Sequence, residues 1–456
     1  CPIYRFGHNP VPRLFLFLFL SVSAALYGAS LSSEQLRGGL GIHTFDQTLA
    51  ALAGDDSDDD EYWYWLDLAR LQQAGGDYNA SIRSFEKAYA ILDEYENRAT
   101  YSVRNISSFV GSSFLSKGSE SYYGKGYERT LMHTLNAINY IMLGDFQGAA
   151  VEIRRMEKRQ EFWLLESDEK IKQAAKDKAT AEARNTSTDT IPQNYSMASL
   201  LNNPDVRALL NNYQDPFSYT LGYVIAEMSG LSYATGDEGG LYLKRAIALN
   251  AEAKNALVPS KNPKKGDTMS VTVVVLSGVA PSMKIEKIRF PIFHAAEYTS
   301  IDLPSYAPPR NDLARLSIST AGGRTFTPPR LLKSDMMAYK TLSDEFPGEL
   351  AKAAVRATTR GIAAKQANDH FGDLGGLLAS LLFDVGSSIA DSGFRNWETL
   401  PNSGYLLSFE AKKGETLSIM LNDRQESIAL PKNGKGVFVL VSYLTPDNVR
   451  IDYADY

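Results

Sequence analysis

The sequence predicts an α+β fold, with a helical-repeat half over residues 35–260 and a β-rich half over residues 267–456. Three observations carry this. Through the first half, apolar side chains recur at three- and four-residue steps. Two Gly-Asp-aromatic turns there, at Gly76 and Gly144, precede the same order of small and bulky residues. After Asn262-Pro263-Lys264-Lys265-Gly266-Asp267 the pattern changes to the β-branched runs of strands.

Composition bounds the rest. The 456 residues give room for about two or three domains. With 44% apolar and 22% charged residues, a sizeable core is expected. A net charge of −6 and no basic stripe argue against nucleic acid as a partner. Cys1 is the single cysteine, and His8, His43, His133, His294 and His370 are scattered. No metal or cofactor is therefore expected.

The first 30 residues read as a signal peptide. Arg5 and Arg13 precede the apolar run Leu14–Leu20, and Gly28-Ala29-Ser30 supply small residues for cleavage. The run is short for a membrane span, which needs about 20 residues. Leu26-Tyr27-Gly28-Ala29 differs from a lipoprotein box in carrying Ala29 where the acylated Cys would stand. Export to the periplasm is the expectation, with outer-membrane association left open.

The acidic run Asp55–Glu61 lacks the glycine and terminal glutamate of a calcium loop and reads as a solvated linker. Tyr62–Leu71 is a helix whose Trp63 and Trp65 are expected to pack against a neighbour. Gly76-Asp77-Tyr78 is followed by Ser81, Phe85 and Ala88; Gly144-Asp145-Phe146 is followed by Ala149, Ile153 and Met156. The two turns lie 68 residues apart, twice the ~34-residue tetratricopeptide period. Thr235-Gly236-Asp237 begins a third, imperfect copy, and a helix from about Ala99 to Leu115 is expected between the first two. Leu131, Leu135, Ile138 and Met142 make the buried stripe of the central hairpin's first helix. Its second helix is expected to run to about Arg184, with Lys170–Arg184 projecting into solvent. Asp215-Pro216 is a strong helix start, a cap followed by the position where proline costs nothing.

In the second half Val271–Leu276 is a buried strand and Ile285–Phe293 another. Tyr306–Pro329 reads as loops around one short strand. A helical insertion spans 333–391: helices at Lys333–Glu345 and Gly348–Asn368, then an apolar, glycine-rich helical hairpin at Phe371–Ala390. Tyr405–Phe409, Thr416–Leu421, Ser427–Leu430 and Gly436–Leu444 read as an antiparallel meander. Joined to Val271–Phe293, it is expected to make one small sheet.

Several stretches together resemble an uncharacterised family of bacterial exported lipoproteins with tetratricopeptide-like repeats. They are Tyr122-Tyr123-Gly124 with Tyr127-Glu128, Met132–Ala137, Leu143-Gly144-Asp145, Val151–Met156, Tyr213–Phe217, Leu276–Pro281 and Trp397–Pro401. The resemblance implies an envelope protein without assigned catalysis. Members are often encoded beside a penicillin-binding-protein activator lipoprotein, which hints at peptidoglycan machinery. Ala29 is where this chain departs from the family.

No residue set for catalysis stands out. His133 is expected to bond a neighbouring loop, and there is no G-x-S-x-G and no phosphate loop. The first reading is a non-catalytic periplasmic scaffold or adaptor that holds a protein or peptide on its helical-repeat surface. Tyr122, Tyr123, His133, Asn136, Tyr140 and Arg155 are its partner-binding candidates. The alternative is a glycan- or peptidoglycan-binding module using Tyr122-Tyr123, Trp63/Trp65 and the basic helix near Arg356. An envelope hydrolase comes last.

Overall fold

The computed structural model describes residues 31–55, 61–101, 122–183, 191–211, 213–230, 238–259, 266–292, 297–371 and 396–456. The expected signal peptide, the intervening helix beyond Tyr101, the third turn at 235–237 and the hairpin after Phe371 lie outside these residues.

The chain opens with helices α1 (Ser33–Gly38) and α2 (Phe45–Ala53), then a hairpin of α3 (Tyr62–Ala74) and α4 (Tyr78–Tyr101). A second hairpin follows, α5 (Gly126–Met142) and α6 (Phe146–Ala183). Both hairpins close with the same turn. Gly76 and Gly144 take φ of +83° and +77°, a left-handed conformation that glycine adopts freely. Asp77 N–H returns to Gln72 O at 2.9 Å, and Asp145 N–H to Tyr140 O at 2.8 Å. Each Asp side chain then caps its helix, accepting from Ala80 N–H and Gly148 N–H.

Short helices α7 (Ala198–Asn202) and α8 (Pro204–Asn211) lead to α9 (Pro216–Ser229), which starts as its sequence demands. Asp215 caps it by accepting from Phe217 and Ser218 N–H. With α10 (Glu238–Leu249) it forms a third helical pair, followed by a 3-10 turn at Ala251–Ala256.

The strands do not form the expected single sheet. β1 (Thr268–Ser277), β6 (Arg330–Lys333), β7 (Ser403–Lys412), β10 (Gly436–Tyr443) and β11 (Val449–Asp455) make one sheet in the order β11-β10-β1-β7-β6. β4 (Leu316–Thr320), β5 (Thr325–Phe326), β8 (Thr416–Leu421) and β9 (Arg424–Ala429) make a second. The predicted β8–β9 hairpin is present, but β10 leaves the meander and pairs in parallel with β1. The reason is burial. Val273, Val275, Val437, Val439 and Val441 pack on the second sheet, while Val274, Leu276, Phe438 and Leu440 pack on the helices. Strands apolar on both faces belong at the centre of a sheet.

β2 (Met283–Ile292) and β3 (Glu297–Tyr306) form a separate ribbon, where the sequence reading had a single strand. The two helices expected after Lys333 are one, α11 (Ser334–Phe371), continuing through Pro347. Proline removes a backbone donor, yet packing carries the helix past it. Gly348 sits against α6, where a β-carbon would stand 2.9 Å from Ala174 Cα. The end of α6 therefore does not project into solvent: Lys170, Ala174 and Ala181 are buried. One core runs from Tyr62 and Leu131 on the helices to Leu406 and Leu440 on the sheet. No described helix is long and apolar enough to cross a membrane.

Candidate functional site

Among the described residues, three places in the fold carry chemistry. The first holds His133. It faces α6 from α5, and its Nδ1 lies 2.6 Å from Glu152 Oε2. Glu152 Oε1 accepts from Arg155 at 2.8 Å. The Arg155 guanidinium covers the Tyr89 ring of α4 at 4.8 Å, and that ring meets His133 edge-on at 5.4 Å. Burial pushes the imidazole's pKa below its usual value, against the pull of Glu152. A neutral ring beside a carboxylate places its proton on Nδ1. Nε2 is buried and bonds no described group, so in this conformation it has no route to a substrate.

The sequence candidates therefore separate. His133 and Asn136 are 1% and 3% exposed, inside the hairpin stack. Asn136 joins a buried polar ladder that sequence reasoning missed: Gln73 bonds Leu135 O and Asn139, Asn139 bonds Ser81, and Ser81 bonds Ala69 O. The ladder ties the first hairpin to the second. Tyr140 and Arg155 reach the surface, Arg155 with 41% of its side chain exposed. Tyr123 stacks on Tyr95 at 3.5 Å, and the Tyr122 hydroxyl donates to Glu128. Trp63 is buried among Leu36, Leu68 and Leu71, as the sequence suggested.

The second place is a buried ion cluster. Lys125, Arg129 and Lys170 face Glu128, Glu166 and Glu345, and none of the six is more than 9% exposed. Lys170 Nζ lies 2.5 Å from Glu345 and 3.3 Å from Glu166; Arg129 lies 3.5 Å from Glu166 and Lys125 3.6 Å from Glu345. Three cations against three carboxylates keep the interior neutral. Burial lowers Lys125 to about 8. Burial also presses Glu166 upward, but Lys170 and Arg129 prevail and hold it below its usual range. Such clusters fix geometry more than they add stability; here α5, α6 and α11 are held in register.

Glu128 extends the cluster to the loop at Asn396–Asn402, which threads between helices and sheet. Trp397 N–H donates to Glu128, Thr399 donates twice to Asp67, and Glu398 pairs with Arg37. Trp397 is fully buried, edge-on to Phe85 of α4. The face that Asp67, Phe85 and Glu128 present on the first two hairpins thus holds the chain's own Trp397 loop.

The third place is open. A cleft of about 700 Å³ lies between the α9–α10 pair and the five-stranded sheet. Its apolar walls include Val224, Met228, Leu243, Ile247 and Leu257; its floor is Ser270, Thr272, Ser408 and Glu410. These floor residues are on the helix-facing side of β1 and β7, in register beyond Val274 and Leu406. No sequence signal marks the cleft, because its two sides are joined only by folding.

Among the described residues, no group of three His, Cys, Asp or Glu side chains is placed to hold a metal ion. No family model, curated protein or solved structure matches this chain.

Proposed function

We propose that this protein is an exported, non-catalytic envelope adaptor, in which the three helical pairs act as tetratricopeptide-like repeats and one extended partner segment is held in the cleft between α9–α10 and the sheet. The observation that carries this is the cleft itself. Its volume lies in the range of ligand sites, and apolar walls over a hydroxyl-lined floor suit a peptide's side chains and its polar backbone. An extended strip already lies along the floor: Val258 N–H donates to Ser408 O at 2.8 Å. Export rests on the Leu14–Leu20 run, and a role near peptidoglycan machinery on the family resemblance.

The Trp397 loop already occupies the first two hairpins at Asp67, Phe85 and Glu128, which moves the proposed partner surface from the central hairpin to the third pair. The glycan alternative loses a platform with Trp63 buried. A photo-cross-linking residue at Ile247, 36% exposed on the cleft wall, tests the reading in intact envelopes. One defined protein should be captured, a peptide of it should compete, and Ile247→Asp should abolish binding. Capture that no peptide competes, or binding indifferent to Ile247→Asp, overturns it. Sedimentation with purified sacculi reads the glycan alternative directly.

A further inference from the structure

The five-stranded sheet ends on an open strand. Among the described strands, β11 pairs with β10 alone. Gly436 and Tyr456 exchange both backbone hydrogen bonds, at 3.0 and 2.9 Å, and Leu444 N–H donates to Asn448 O at 3.1 Å. Antiparallel pairs alternate, so Arg450, Asp452 and Ala454 bond to β10. The N–H and C=O groups of Val449, Ile451, Tyr453 and Asp455 point away from the sheet, and no described strand lies beside them.

The other described edges of the sandwich are blunted, as native sheets commonly are. β5 has two residues, β6 has four with a register shift, and β9 carries Arg424 and Glu426. β11 has seven residues in unbroken register, without proline, and each is at least partly exposed. Tyr453 is 53% exposed, and Val449 and Ile451 are half-buried beside the sandwich core.

We propose that β11 is an interface between two copies of this chain, paired antiparallel about a twofold axis through Ile451. The strand is complementary to itself in that register. Arg450 falls opposite Asp452 of the partner subunit, and Val449 opposite Tyr453 of the partner subunit. The outward backbone groups belong to odd-numbered residues, so 449, 451 and 453 take the hydrogen-bonded positions. Arg450 and Asp452 take the positions where side chains stand closest, and opposite charges facing there are favourable. Within one copy the two already touch at 2.5 Å on one face of the sheet, so the axis generates a net of four alternating charges. Moving the axis to Tyr453 or Val449 removes both charge pairs. A twofold contact of one patch with itself closes at two copies and leaves neither β11 edge open.

Sedimentation of the full chain over a concentration series tests this. A monomer–dimer equilibrium is expected. Ile451→Pro should abolish it and leave the fold intact by circular dichroism, because that N–H does not bond β10. Arg450→Asp or Asp452→Arg alone should weaken the dimer at least about tenfold, and the double exchange should restore it. In a Cys1→Ser background, Ile451→Cys should oxidise to a covalent dimer. Val449→Cys alone should not, but should cross-link when mixed with Tyr453→Cys. A chain monomeric at every concentration, or a dimer that survives Ile451→Pro, overturns the proposal.

Discussion

Trp397 donates its backbone N–H to the carboxylate of Glu128 at 3.0 Å, across 269 positions of sequence. Glu128, itself fully buried, also accepts from the half-buried Tyr122 hydroxyl and from Lys125 N–H. Removing it leaves three donors and the Lys125 cation without that carboxylate. Glu128→Ala should cost about 3–5 kcal/mol, and Glu128→Gln less, because its carbonyl still accepts. Denaturant unfolding followed by far-ultraviolet and tryptophan signals measures this. The shared core requires both signals to move at one midpoint in the parent protein. Separate midpoints for helical and β halves would contradict the joint described here.

Asp67 gives the loop a pH dependence. Burial raises its pKa from 3.8 to about 8, against two hydrogen bonds from Thr399. The folded state holds this proton more tightly than the unfolded chain does. Its contribution to stability is therefore complete below about pH 4 and is lost as pH rises towards 8. Lys125, lowered by burial from 10.5 to about 8, acts with the opposite sign in the next window up: its contribution is complete above about pH 10.5 and is lost as pH falls towards 8. Asp67→Asn mimics the protonated acid, so stability between pH 4 and 8 should become flatter and the variant should exceed the parent at pH 8. Equal slopes for the two proteins would show that Asp67 is ionised in the fold.

The hairpins were legible because local chemistry writes them: glycine for a left-handed turn, aspartate for a cap, apolar residues at helical steps. Val271–Leu276 was legible as a strand for the same reason. Its neighbours were not. The pairing of Val273 with Val439 and Leu407 depends on which faces are buried after collapse, and no short window contains that. β11 was not legible because its alternation, Val-Arg-Ile-Asp-Tyr-Ala-Asp, is that of a half-exposed edge. His133, Asn136 and Arg155 were legible as neighbours on the central hairpin. That two of them face inward follows from Gln73, Ser81 and Tyr89 on the first hairpin.

Two glycines separate backbone strain from packing. Gly144 has φ +77° with open space around it, so Gly144→Ala should cost only the left-handed penalty, about 1–2 kcal/mol. Gly126 has no such φ, but a β-carbon there would collide with the buried Trp163 side chain. Gly126→Ala should cost about 1–3 kcal/mol through overpacking and change the near-ultraviolet signal of the tryptophans. Gly144→Ala should leave that signal unchanged. Thermal unfolding and near-ultraviolet dichroism of both variants check the distinction.

His133 provides the acid-side counterpart of Asp67. Burial lowers its pKa although Glu152 draws it upward. The folded state resists the second proton, so this residue's contribution is complete above about pH 6.5 and is lost as pH falls through the lowered value. The ring should stay neutral at pH 6.5, with the proton on Nδ1 facing Glu152. Long-range nitrogen correlation spectra of the imidazole read both nitrogens directly. Glu152→Gln removes the opposing charge, so the pKa should fall further and the Nδ1–H bond should weaken. His133→Gln should flatten the stability profile below pH 6.5. A doubly protonated ring at pH 6.5 would mean that the pair exists as a buried ion pair, and stability would then fall as pH rises, the reverse of the dependence expected from a neutral ring.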